Sequence, residues 1–181
     1  MNDKTYKHFG AFFDIDSKVL ILGSFPSADS LEKGFFYQNF SNRFWCVMQK
    51  AFCVKGLCGD IRAQKDFLIK QNIALWDIWV ECVRKNNDSA DKNIDELKSK
   101  RANLNEILQK AQIRAIFTTI GKGECFKKWG IREWIGGYFA NVDEILYPLY
   151  STSARSPKSD DEIVENYKII KETLEKIRGR K

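Results

Sequence analysis

Four apolar residues in a row, Val19-Leu20-Ile21-Leu22, stop at Gly23, a run too short for a helix and too continuous for a strand with one wet face. Such a run reads as a parallel strand covered on both sides. Ile73 to Trp76 and Ala115 to Thr119 repeat the pattern, and a fourth strand is expected over Glu144 to Leu149. Between the strands, apolar positions recur at helical spacing. Phe44, Trp45, Met48, Ala51 and Phe52 follow Ser41 and Asn42, either of which can cap the helix, and Phe67 and Leu68 follow the cap Asp60. Leu97, Leu104, Ile107 and Leu108 predict a helix over Asp95 to Ala111, and Arg84 to Asn93 reads as a polar loop. A short helix through Phe126 and Trp129 is expected past the turn at Gly121 and Gly123, while Ile131 to Val142 fits no single pattern. The last helix starts at Ser159, where Glu162 completes a capping box, and runs through Ile163, Tyr167, Ile170 and Leu174. Strands alternating with helices predict the α/β class: a three-layer α/β/α sandwich with a mostly parallel four-stranded central sheet.

Composition narrows the setting. A length of 181 residues suits one domain spanning 1–181. There is no apolar run near 18 residues and no signal-type apolar core after Met1-Asn2-Asp3-Lys4, so no membrane partner and a cytosolic monomer are expected. Thirty Lys and Arg against 24 Asp and Glu give a net charge of +6, which favours a polyanionic partner without deciding it. Five cysteines leave one over in any disulfide scheme; all are expected reduced, with Cys46 a core residue on its helix. The lone histidine, His8, is expected before the first strand, whereas Ser-His-Asp or Cys-His chemistry would need a histidine on a loop after a strand, so such chemistry is not expected.

Open α/β sheets bind ligands beyond the carboxyl ends of their strands, so the stretch from Gly23 to Ser41 is expected to form the floor and one wall of a site for a flat heterocycle. Gly23, Ser24, Phe25 and Pro26 open it; the same residues equally make a plain tight turn. Phe35, Phe36 and Tyr37 are consecutive rings, of which Phe35 and Phe36 are expected in the core. Asp77 ends the second strand on the site edge, where it either fixes a pocket group or caps the next turn. Far downstream, Ser151, Thr152 and Ser153 offer hydroxyl and amide donors suited to phosphates, with Arg155 and Lys158 close behind.

Three segments together carry a resemblance: Gly-Ser-Phe-Pro-Ser after the first strand, Gly-Phe-Phe-Tyr running on to Asn-Arg-Phe-Trp at 42–45, and Leu-Tyr-Ser-Thr-Ser-Ala at 149–154. They resemble the uracil-DNA glycosylase superfamily, most of all its hypoxanthine-DNA (deoxyinosine) glycosylase branch, with mismatch-specific uracil glycosylases next. Ala74-Leu75-Trp76-Asp77 looks like that family's second strand. The resemblance implies base excision from DNA containing a deaminated base, hypoxanthine or uracil. It implies Asn42 as the catalytic amide, although capping its helix would explain this asparagine too. Gly23, Ser24, Phe25, Pro26, Tyr37, Asn39 and Asp77 would then meet the flipped base, Tyr37 by stacking. Ser151, Thr152, Ser153, Arg155 and Lys158 would meet DNA, with Arg155 either entering the base stack, binding phosphate or remaining a solvated surface group. Some family members hold an iron–sulfur cluster; the absence of Cys-x-x-Cys spacing here implies no metal and no cofactor. The chain departs from the family at Asn39-Phe40, where His-Pro is usual, at Tyr150 in place of proline, and at Ala154-Arg155 in place of Pro-Ala. These departures leave a mismatch-type uracil glycosylase, or a non-catalytic module sensing damaged DNA, as alternatives.

Overall fold

The computed structural model describes residues 4–84 and 90–179. A four-stranded parallel sheet is its centre, built from β2 (Val19–Gly23), β3 (Ile73–Asp77), β6 (Ala115–Thr118) and β7 (Leu146–Pro148) in the order β3-β2-β6-β7. Register is fixed by parallel pairs such as Leu22 with Trp76 and Leu22 with Thr118. The alternation of a strand sends Val19 and Ile21 to one face and Leu20 and Leu22 to the other, and both faces are dry. That is why the run is unbroken.

On the first face lie α2 (Phe44–Ala51), α3 (Ile61–Gln71) and α8 (Asp160–Arg178), packing Phe44, Met48, Leu68, Tyr167 and Ile170 against the sheet. The second face is covered by Leu104 and Ile107 of the α4 region (Asn105–Leu108), by Trp129 after α5 (Glu124–Lys128), and by Ile131 and Ile135 of α6 (Ile131–Gly136). The layers are those expected. Two expected caps are present, Asp60 accepting from the Ala63 N–H and Ser159 with Glu162 forming the reciprocal capping box, whereas the N-cap of α2 is Arg43 rather than Ser41 or Asn42 and makes no side-chain cap bond.

A second sheet was not foreseen. β1 (Lys4–Lys7), β4 (Trp79–Arg84) and β5 (Lys100–Arg101) form an antiparallel sheet in the order β1-β4-β5. The helix expected over Asp95 to Ala111 is absent for the same reason. Ile94 bridges to Arg84, the Ser99 hydroxyl accepts from the Val83 N–H, and Lys100–Arg101 pair with β4, leaving only Asn105–Leu108 helical and Leu97 93 % exposed. Tertiary pairing overrode a helical period. In the expected loop, Arg84 ends β4 and Asp91–Asn93 form a 3-10 turn; residues 85–89 lie outside the described residues. The segment that fitted no pattern contains α6, and α7 (Val142–Ile145) takes the start of the expected last strand. The basic residues Lys176 and Arg178 fall in the last turn of α8, whereas residues 180–181 lie outside the described residues.

The cysteine expectation fails. Cys46 and Cys58 are joined by a disulfide on the surface, while Cys53, Cys82 and Cys125 are free. Cys46 is exposed because it falls on the outer side of α2, opposite the stripe of Phe44, Val47 and Met48. Among the described residues, no helix is long and apolar enough to cross a membrane.

Candidate active site

A cavity of about 510 Å³ lies across the carboxyl edge of the central sheet. Every parallel strand contributes: Gly23 and Ser24 from the end of β2, Asp77 from the end of β3, Thr119 and Ile120 after β6, and Ser151 to Pro157 after β7. Tyr37, Asn39, Ser41 and Asn42 form the wall between α1 (Ala28–Lys33) and α2. The two stretches singled out in the sequence therefore meet at one place.

They are stapled there by Asn42 and Arg43. The Asn42 carboxamide oxygen accepts from the Phe44 N–H at 2.9 Å and from the Thr152 hydroxyl at 2.9 Å. Both of its acceptor positions are used, so its Nδ2 protons remain, with no acceptor among the described residues, on a side chain that lines the cavity. The N-cap position itself is Arg43, so Asn42 meets the Phe44 N–H from one residue before the cap. Arg43 donates from its backbone N–H to the Thr152 carbonyl at 3.0 Å, and from its guanidinium to the carbonyls of Ser153 at 3.0 Å and Lys158 at 2.9 Å. Nothing local in the sequence marks Arg43 for this task. Its partners lie more than a hundred residues away.

Tyr37 has a left-handed backbone, φ 55°, which turns its ring onto Phe44 with centroids 3.8 Å apart and planes 13° from parallel. Its hydroxyl lies 3.3 Å from the Thr119 hydroxyl, and burial, then the Asp77 charge, pushes its phenol well above the ordinary value. The ring stays neutral. Gly23 is required by this crowding, because a Cβ there would collide with the Asp77 carboxylate and come within 2.9 Å of the Tyr37 hydroxyl.

Asp77 is 3 % exposed and its carboxylate lies 3.0 Å from Nε2 of His8. It borders the cavity rather than capping a turn. His8, expected ahead of the first strand, instead directly follows β1, which carries it to the wall behind the site. Asn39 donates to Asp29 at 2.7 Å and accepts from the Ser41 N–H and hydroxyl, which leaves Phe40 at the tip of that turn 97 % exposed. In the downstream turn, Ser151 and Ser153 hydroxyls accept from the N–H groups of Ser153 and Arg155. Thr152 is buried, its hydroxyl committed to Asn42.

Three expected contacts are not brought together. The Phe25 ring is 6 % exposed and packs in the core beneath the Arg84 guanidinium, 5.1 Å away, rather than in the cavity. Pro26 borders only a small adjoining recess, and its carbonyl accepts from Arg84 at 3.1 Å. Lys158 does not line the cavity: Glu162 holds its ammonium at 2.7 Å over the Tyr150 ring. Arg84 was missed, although it fixes the turn at both Phe25 and Pro26. Asp91 was missed as well. It lines the cavity and its carboxylate accepts from the Ser24 hydroxyl at 2.5 Å. Among the described residues, no group of three or more His, Cys, Asp or Glu side chains could hold a metal ion.

A parallel sheet with helices on both faces and a polar cleft across its carboxyl edge defines a ligand-binding α/β domain. The chain belongs to the uracil DNA glycosylase superfamily, whose pattern it matches over residues 10–178, and members of that superfamily are DNA glycosylases. Its fold is similar to a solution NMR structure of a Methanosarcina acetivorans protein provisionally assigned as a uracil DNA glycosylase, with a TM-score of 0.68 at 21 % identity. That likeness covers 93 % of this chain and 99 % of the other. No curated protein sequence matches the chain.

Proposed function

We propose that this protein is a monofunctional DNA glycosylase that turns a deaminated base out of DNA, hypoxanthine foremost and uracil second, and hydrolyses its N-glycosidic bond to leave an abasic site. The observation that carries the reading is the Asn42 carboxamide, clamped through its oxygen by Phe44 and Thr152 so that the Nδ2 donor is left for the cavity. In base release the sugar approaches an oxocarbenium ion and the base departs with negative charge, so a fixed N–H donor on the base side stabilises the transition state. Tyr37, backed by Phe44 and held neutral, supplies an aromatic wall for the extruded base. A cavity of about 510 Å³ sits within the roughly 300–1,000 Å³ range of small-molecule pockets and leaves room for a purine. Ser151, Ser153 and Arg155 at the rim suit the flanking phosphates.

The test is incubation with duplexes carrying inosine or uracil, followed by alkaline cleavage at abasic sites. Strand breaks at inosine are expected. Breaks at uracil alone would mark a mismatch-type uracil glycosylase, and binding without breaks would mark a non-catalytic module. Asn42→Ala is expected to slow release by about 10²–10³-fold while DNA binding persists; release at an unchanged rate would remove the role given to this residue.

A further inference from the structure

Hydrolysis needs a group that takes a proton from water, and the cavity residues so far do not supply one. The Asn42 oxygen is occupied by two donors, and the Asp77 carboxylate is 3 % exposed, with Oδ2 bonded to His8 and Oδ1 packed against Gly23 beside the Tyr37 hydroxyl. Asp91 is different. It opens the 3-10 turn Asp91–Asn93, lines the same cavity, and is held through Oδ1 by the Ser24 hydroxyl from the end of β2, 67 residues earlier in the chain. Its Oδ2 accepts no hydrogen bond among the described residues. Resting on the glycosylase reading, we propose that Asp91 is the catalytic general base for the attacking water and that Ser24 is the residue that positions it.

The step balances. The water oxygen bonds to the anomeric carbon as the glycosidic C–N bond breaks, and that bond's electron pair leaves with the base. The water proton passes to Asp91 Oδ2. The departing base, steadied by Asn42 Nδ2–H, takes up a proton from solvent, and Asp91 returns its own. Burial raises the Asp91 carboxyl above the ordinary carboxylate value, and the Ser24 bond and the Arg84 charge oppose that rise. A raised value makes a stronger base. The charges and titratable groups acting on it are Arg84 of β4, Asp77 of β3, Arg155 of the downstream turn, Tyr37, Cys82 and Cys125.

The experiment measures single-turnover release from an inosine duplex, and from a uracil duplex, between acid and neutral pH. The wild-type rate is expected to fall toward acid as Asp91 protonates. Asp91→Asn, an isosteric change that still accepts from Ser24, is expected to lower the rate at neutral pH by about 10²-fold or more and to abolish the acidic limb. Duplex affinity should stay within about threefold, since the change removes no donor to a backbone phosphate. Ser24→Ala removes the bond that favours the charged carboxylate, so its acidic limb is expected to move to higher pH. A purely structural Ser24 would leave the limb in place. Wild-type release by Asp91→Asn, or an acidic limb that survives in it, overturns the proposal while leaving the glycosylase reading intact. Absence of release from both duplexes by the wild-type protein overturns both.

Discussion

Asp77 and His8 show how one contact shapes the cleft. The carboxylate is buried at the end of β3, and the imidazole beside it is itself almost fully covered. Removing the ring in His8→Ala leaves a buried carboxylate oxygen without its donor. The expected cost is about 1–3 kcal/mol, read in urea as a lower midpoint at unchanged slope. No local pattern hints at the pair, because the residues are 69 positions apart and meet through pairing of β1 with β4, which places Lys7 opposite Glu81, and through the bridge of Phe12 to Leu75. Asn42 was legible where His8 was not. Its place between an aromatic loop and an amphipathic helix is local information, as is its bond from the Phe44 N–H, whereas the second bond that aims it comes from Thr152.

The same division holds for whole elements. The strands of the central sheet, buried on both faces, wrote themselves as apolar runs, and the caps at Asp60 and Ser159 follow from side-chain chemistry within four residues. β4, β5 and the shortened α4 could not be read, since their shapes are set by partners outside any local window. The cap of α8 can be tested directly. Ser159→Ala is expected to cost about 1 kcal/mol, a fall of roughly 2–4 °C in melting temperature for a chain of this size. Lys158 and then Ser159 hold the Glu162 carboxyl down to about 2, against an ordinary 4.5. A depressed carboxyl contributes fully above its unfolded value and loses that contribution as pH falls toward 2. The melting difference between wild type and Ser159→Ala should therefore shrink across that acidic range.

For the molecule as a whole, the central sheet has a direction, and the cavity lies across its carboxyl edge. Net charge of +6 adds long-range attraction to a polyanion but says nothing of where it docks. Arg155, on the cavity rim, is the side chain that separates two kinds of contact. If it binds phosphate, Arg155→Ala lowers the slope of log affinity against log salt by about 0.9. A drop in affinity with the slope unchanged would instead assign it to the bases.

The staple between Asn42, Arg43 and the turn at Thr152 has one more consequence, for the order of events during protein synthesis. A ribosome that has delivered the aromatic loop and its helix has made the amide but not the threonine hydroxyl that aims it, nor the carbonyls that receive the arginine. A chain that stops short of Thr152 therefore lacks the clamp on both side chains, and this wall of the cleft is completed only when the late turn docks.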